Sequence, residues 1–241
     1  MFYLNDYIFK YVDKVVTLSN EMKTFILDNR NFSEVNVEVI PNWSTEDISK
    51  VPIKEIENKK FLISYFGNIG IAQDFDSIKF ALKYFSGNPI IQWSFAGHGT
   101  YYNNLIDYTI TNNIDNVTFN GYLNQEELNR LASISNCFLL SLKKELAGLA
   151  VPSKYYTYLN YNKPIIAIIS KKTDIFKEIN QYKLGVAIKN EDKNCLVQTI
   201  EKLSKSYSNF NNLYVYKEFY EPDVQLLKYS QMIKSLIRDI E

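Results

Sequence analysis

Four short polar segments hold the residue types that could handle an anion or a sugar, and each follows an apolar run. The first is Gly67-Asn68-Ile69-Gly70-Ile71-Ala72-Gln73-Asp74. Two glycines ahead of a helix start let backbone N–H groups approach a phosphate, and the helix dipole favours an anion there. The third glycine of the dinucleotide fingerprint is absent, and a tight turn is the alternative reading. The second is Ala96-Gly97-His98-Gly99, which carries the only histidine. No carboxylate close in sequence orients His98, so a loop histidine is weighed above a catalytic one. The third is Asn120-Gly121-Tyr122: Gly121 permits a bend and Tyr122 could flank a flat ring. In a chain with 19 tyrosines, packing is the commoner role. The fourth, Lys143 to Lys154, is the most informative. Pro152 suits the first turn of a helix, with Ser153 and Lys154 beside it. A lysine there opposes the macrodipole, an arrangement that makes sense if an anion is expected. Hydroxyl, ammonium and free N–H groups together suit phosphate, and Glu145 on the preceding loop could hold sugar hydroxyls. The alternative is a solvated charge cluster.

These segments need a scaffold that brings them to one edge. The apolar runs are 61–66, 90–96, 117–119, 137–142, 164–169 and 185–188. Most are continuous rather than alternating, as strands covered on both faces are. Between them lie helical patterns. Phe75, Ile78, Leu82 and Phe85 share one face of a helix over 74–85. Asn124 with Glu127 predicts a capping box, and Thr173 and Asp192 predict two further N-caps. Strand and helix alternate about five times, which predicts an α/β fold: a Rossmann-like parallel sheet of about six strands with right-handed crossovers. In such a sheet ligands sit beyond the carboxyl ends of the strands, where all four segments fall.

Residues 1–43 read separately, as a short strand over 14–18, a helix capped by Ser19, the run VEVI and the turn PNW; they are too few to form a domain. Residues 44–60 are polar, hold Pro52 and read as a linker. Residues 61–220 form the main domain. Residues 221–241 form a terminal helix opening at Pro222, with Val224, Leu227, Tyr229, Ile233, Leu236 and Ile237 as its apolar face.

Composition removes several classes of function. Lysine plus arginine and aspartate plus glutamate are 27 each, so a dedicated nucleic-acid binder is disfavoured. The balance also argues against strong electrostatic docking on a membrane. One histidine excludes a multi-histidine metal centre. Cys137 and Cys195 lie in apolar stretches, which suits a reduced, cytoplasmic compartment rather than a disulfide scaffold. No apolar run approaches the roughly 20 residues of a membrane span, and the first residues have no signal-peptide layout.

The motifs YFGNIGIAQDFD, SFAGHG, VTFNGYL and GLAVPSKYYTYLNYNKPIIA, in this order and spacing, resemble the carboxyl-terminal half of GT-B glycosyltransferases. The nearest group is family 4, in its bacterial surface-polysaccharide branch. Residues 11–42 resemble the last strand, helix and hinge of the amino-terminal half in such an enzyme. The resemblance implies a truncated chain, most of its acceptor half missing, with the terminal helix returning toward that half. It implies a donor site in which Gly67, Asn68 and Gly70 face the diphosphate or sugar. Gly97 and Gly99 would border the nucleoside, and Tyr122 would lie near the base. Ser153 and Lys154 would bind phosphate, with Glu145 or Gly148 near the sugar. Asn68 and Gln73 stand where many members have Arg and Lys, which shifts the positive charge toward Lys154. Leu149 and Thr157 stand at the places of the family's paired glutamates, of which the second usually holds the ribose, so that pair is absent here.

The expected function is transfer of a sugar, with retention, from a nucleotide-diphosphate sugar to a polysaccharide or lipid-linked acceptor. Lys154 and Glu145 are the catalytic candidates. The sugar nucleotide is a substrate; no cofactor or metal is expected, since no Asp-x-Asp cluster follows a strand. The expected address is the cytoplasm, with the inner membrane face as the alternative. Three rivals stand beside this: the donor-binding subunit of a split enzyme whose acceptor half is a separate polypeptide, an inactive fragment, and a nucleotide-sugar epimerase on the same fold.

Overall fold

The computed structural model describes residues 7–9, 11–30, 36–45, 60–205, 210 and 212–238. The first elements are β1 (Val15–Thr17), α1 (Asn20–Asn29) and β2 (Val37–Val39). β1 and β2 pair in parallel, Val15 opposite Val37, as a sheet of their own. The linker expected over 44–60 lies, from 46 to 59, outside the described residues.

The main sheet holds β3 (Phe61–Phe66), β4 (Ile91–Ala96), β5 (Val117–Gly121), β6 (Cys137–Ser141), β7 (Ile165–Ile168) and β8 (Gly185–Ile188). The crossovers and end are α2 (Phe75–Tyr84), α3 (Tyr102–Thr111), α4 (Gln125–Ile134), α5 (Lys154–Asn160), α6 (Asp174–Gln181), α7 (Lys193–Lys205), α8 (Asn212–Phe219) and α9 (Pro222–Arg238). All strand pairs are parallel, in the order β5-β4-β3-β6-β7-β8. The four central strands, β4, β3, β6 and β7, have two buried faces, while the edge strands β5 and β8 are only partly buried. Phe61, Ile63 and Tyr65 point into one core, with Ile78 and Leu82 of α2 and Ile200 of α7. Phe66 points into the other, with Phe138, Tyr155 and Tyr158, Ile175 and Val215. A strand with no wet face has no place for alternating polar residues, hence the continuous apolar runs.

The helices start where the sequence places their caps. Ser19, Asn124 and Thr173 each accept a hydrogen bond from the helix they open, and Asn124 with Glu127 completes the capping box. Asp192 accepts from the Cys195 N–H. Among the described residues no helix is long and apolar enough to cross a membrane.

The order reverses between β3 and β6, and there the strands part. β3 pairs with β4 along its whole length, from Phe61 to Phe66, but with β6 only at Ile63 and Ser64. Past that point the Tyr158 hydroxyl replaces the missing ladder bond, accepting from the Phe66 N–H at 2.9 Å. Its ring stacks on Phe138 at 4.6 Å. Tyr158→Phe leaves that buried N–H unpaired. We expect a loss of about 1–3 kcal/mol, or roughly 2–4 °C of melting temperature per kcal/mol, measurable by calorimetry.

The first segment docks on the main domain through two helix starts. Asn20 donates to Asp174 Oδ2 from its backbone at 2.7 Å and its side chain at 2.9 Å. The Asp174 N–H in turn donates to Glu21 Oε2 at 3.1 Å. Each carboxylate thus lies at the positive end of the other's helix. A cleft of about 310 Å³ opens beside this junction, where Asn20 and Pro41 meet α6, Tyr220 and Lys228 of α9. On its wall Glu178 accepts from Tyr155 at 2.8 Å and Tyr220 at 2.6 Å. Burial still holds the Glu178 carboxyl above the usual carboxylate range, the two hydroxyls only moderating it. A raised pKa means the folded chain binds that proton more tightly than the unfolded chain does. Stability from this group is therefore present in acid and is lost as pH rises through the folded pKa. Glu178→Gln removes the slope. The melting temperature of the wild type, relative to the variant, should climb as pH falls through that range; parallel curves would refute it.

Candidate functional site

At the carboxyl end of the parted strands, Lys154 opens α5 and lays its side chain across Gly67. An alanine Cβ at Gly67 would lie 3.3 Å from Lys154 Cε and 3.4 Å from Cγ. Gly67 has φ +126°, a conformation that favours glycine, so the approach needs glycine twice over. This brings together the two segments that the sequence singles out, the first glycine bend and the lysine-bearing helix start. Ser153 is exposed beside them and makes no capping bond to the helix, and Asn68 is exposed on the first loop.

The backbone of that first loop departs from expectation. The amides offered to phosphate are already bonded inside the protein. Gly67 N–H donates to Ala96 O at 2.9 Å, and Ile69 N–H donates to His98 O at 2.9 Å. Gly70 N–H donates to Gln73 Oε1 at 3.0 Å. Tyr65 fixes the loop from below through its hydroxyl on Asn68 O at 2.7 Å. Nor is the start of α2 open to an anion. Asp74, only 8% exposed, caps it through Ser77 N–H and accepts from Asn190 as well. A carboxylate in that position repels a phosphate. The cationic side chain that the structure lays against Gly67 is that of Lys154.

The other candidate residues have the following places. Gly97 and Gly99 receive the first loop rather than open space: a Cβ would lie 1.9 Å from Gly67 O at Gly97 and 2.3 Å from Ile69 O at Gly99. Their φ values, +134° and +159°, fit the same need. Gly148 faces α1, where a Cβ would lie 3.2 Å from Glu21 O and 3.3 Å from Phe25 Cβ. Thr157 is buried, its hydroxyl 3.4 Å from that of Ser44 in the hinge. The structure thus gives Gly97, Gly99, Gly148 and Thr157 packing partners within the chain. Glu145 is exposed on a 3-10 turn over Lys144–Leu146, and the neighbouring Lys144 pairs with Glu191 at 2.6 Å. Tyr122 stands 82% exposed at the tip of the loop after β5. Asp74 and Asn190, hydrogen-bonded to each other at 3.1 Å, escaped the sequence reading. Aspartate before Phe75, with Ser77 three residues on, is a cap signature that could have found the first.

A parallel sheet whose order reverses once, with polar loops gathered at the reversal, defines a doubly wound, Rossmann-like domain. The family follows from the sequence over most of that domain: residues 47–217 match the glycosyl transferases group 1, and the chain belongs to that family. A curated relative, the probable glycosyltransferase WbjE of Pseudomonas aeruginosa, is 23% identical over 98% of this chain and 61% of its own length. Sucrose-phosphate synthase from Thermosynechococcus elongatus superposes with a TM-score of 0.76 at 14% identity, over 98% of this chain and 61% of that one. HepE of Anabaena, solved with UDP, gives 0.75 at 14% identity, over 94% and 65%. The apo lipopolysaccharide outer core galactosyltransferase WaaB gives 0.72 at 16%, over 94% and 63%. At these identities the structures establish the fold, which is of the GT-B type. The chain spans less than two thirds of the length of each of these proteins.

Proposed function

We propose that this chain is the donor-binding half of a retaining glycosyltransferase. A nucleoside-diphosphate sugar lies along the crevice, its diphosphate against Lys154 between β3 and β6 and its nucleoside toward the loops after β4 and β5. The bond from the anomeric carbon to the phosphate oxygen breaks, a bond to an acceptor oxygen forms, and the nucleoside diphosphate leaves with the negative charge. Lys154 stabilises that charge as it grows. The observation that carries this reading is the contact of Lys154 with Gly67 at the reversal of the sheet. Membership of the glycosyl transferases group 1, and a similar fold solved with UDP, support it. The sugar nucleotide is the substrate and no further cofactor enters. The acceptor of this reading belongs to surface-polysaccharide synthesis, which the description of WaaB as a lipopolysaccharide outer core galactosyltransferase supports.

The acceptor side is assigned to a second αβ half, on a longer chain or a separate polypeptide. A parallel pair of three-residue strands is too small to stand as a sheet. On α9, Leu226, Leu227, Ile233 and Ile237 are half exposed or more. The test is a melting curve of the purified chain with millimolar UDP or GDP, paired with a transfer assay. We expect stabilisation by one of the two and no transfer by this chain alone. A melting point indifferent to both nucleotides refutes the donor reading, and transfer by the pure chain refutes the need for a second half.

A further inference from the structure

We propose that His98 is a positioning residue for the base end of this crevice, holding the loop after β5 so that the Tyr122 ring stands as a wall for a flat nucleobase. The inference rests on the nucleotide reading above. Tyr122 is 82% exposed, and among the described residues its ring stacks on no other. An exposed ring alone needs no ligand. What distinguishes this one is a backbone held from two sides. Gly121 O accepts from the Gly97 N–H at 2.6 Å, and the Tyr122 N–H donates to His98 Nε2 at 3.1 Å. Gly121 has φ +63°, and a Cβ there would lie 3.3 Å from His98 Nε2, so the close seat of the imidazole depends on a glycine. The imidazole is steadied by Tyr102 of α3, ring to ring at 4.9 Å.

The same residue also reaches the other side. His98 O accepts the Ile69 N–H of the loop that meets Lys154, so one residue joins the loops after β3, β4 and β5. Lys154 lies across Gly67 after β3, and the paired strands β3, β4 and β5 are about 4.8 Å apart, so the loops after β3 and β5 stand roughly 10 Å apart along the edge. That is the reach of an extended nucleoside diphosphate, with its phosphates at Lys154 and its base at Tyr122. With Nε2 accepting from a backbone amide, a neutral ring carries its proton on Nδ1. Nε2 is then engaged in holding the loop and is not free to act as a base, which removes the catalytic reading of the histidine at that nitrogen.

The experiment titrates the purified chain with UDP and, separately, with inorganic pyrophosphate by calorimetry. The variants are His98→Ala, His98→Gln, Tyr122→Ala and the double alanine. We expect His98→Ala and Tyr122→Ala each to weaken UDP roughly tenfold, the scale of one lost base–ring stack, and to leave pyrophosphate unchanged. The double variant should be no worse than either single one. His98→Gln, whose side-chain oxygen can accept the same N–H, should restore most of the loss. Amide exchange at Tyr122 should quicken in the alanine variant and recover in the glutamine variant. Wild-type UDP affinity in His98→Ala overturns the proposal, as does an equal loss of pyrophosphate or fully additive losses. A wild type that binds pyrophosphate as tightly as UDP overturns it while sparing the anion site. Binding of neither ligand refutes the nucleotide reading itself, and this proposal falls with it.

Discussion

Replacing Lys154 with methionine is expected to abolish most of the heat stabilisation that UDP or GDP confers, measured as the shift from the variant's own ligand-free melting point. Methionine keeps the apolar stem that packs on Gly67, where the contacts are to Cγ and Cε, and removes the charge. The amides of Gly67, Ile69 and Gly70 are bonded within the chain and a buried carboxylate caps α2, so little else nearby can compensate. A hydrogen bond to a charged group is worth about 1.5–3 kcal/mol, which weakens binding by roughly 10- to 100-fold. At a ligand concentration 100 times the dissociation constant the wild type gains about 2.7 kcal/mol, or some 5–10 °C for a chain of this size. The variant should keep a few degrees at most. An undiminished shift in Lys154→Met would move the anion site elsewhere.

Gly97→Ala should be the most damaging single methyl in the molecule's upper rim. The added Cβ would meet a backbone oxygen, Gly67 O, at 1.9 Å, and backbone yields less readily than a side chain. The φ of +134° adds strain of its own, of order 1–3 kcal/mol. We expect a total loss of about 3 kcal/mol or more, seen as a fall in denaturation midpoint. Gly67 would also be pushed from Lys154, so nucleotide stabilisation should fall in parallel. Gly87→Ala is the control. Its φ is +70° but nothing lies within 4 Å, so the cost should stay near the 1–2 kcal/mol of a left-handed alanine. Equal losses at both positions would show that conformation, not the meeting of the two loops, sets the requirement at Gly97.

The central strands were readable because burial on both faces leaves an unbroken apolar run: 61–66 coincides with β3 to the residue. The caps at Ser19, Asn124, Thr173 and Asp192 were readable because capping is local in sequence. The convergence of Lys154 with Gly67 followed from topology, since loops at the carboxyl ends of neighbouring strands must meet. The roles of the glycines did not follow. Sequence shows that Gly97, Gly99 and Gly148 admit a close approach, but not what approaches. It proves to be the loop after β3 in two cases and α1, over a hundred residues away, in the third. The neighbour of Thr157 was illegible for the same reason: a hydroxyl does not declare in sequence that it will face Ser44 of the hinge. Gln73 on the Gly70 amide was hidden by its resemblance to a ligand contact, being a polar side chain in a phosphate-like place.

The hydroxyl of Tyr158 at the edge of β3 carries a consequence for how tightly anything can bind here. By satisfying the Phe66 amide that further pairing with β6 would have used, it makes separation of the two strands the resting geometry rather than an excited one. A ligand that settles above this end of the sheet therefore has no ladder bond to break there, and none of its affinity is diverted into prying the strands apart.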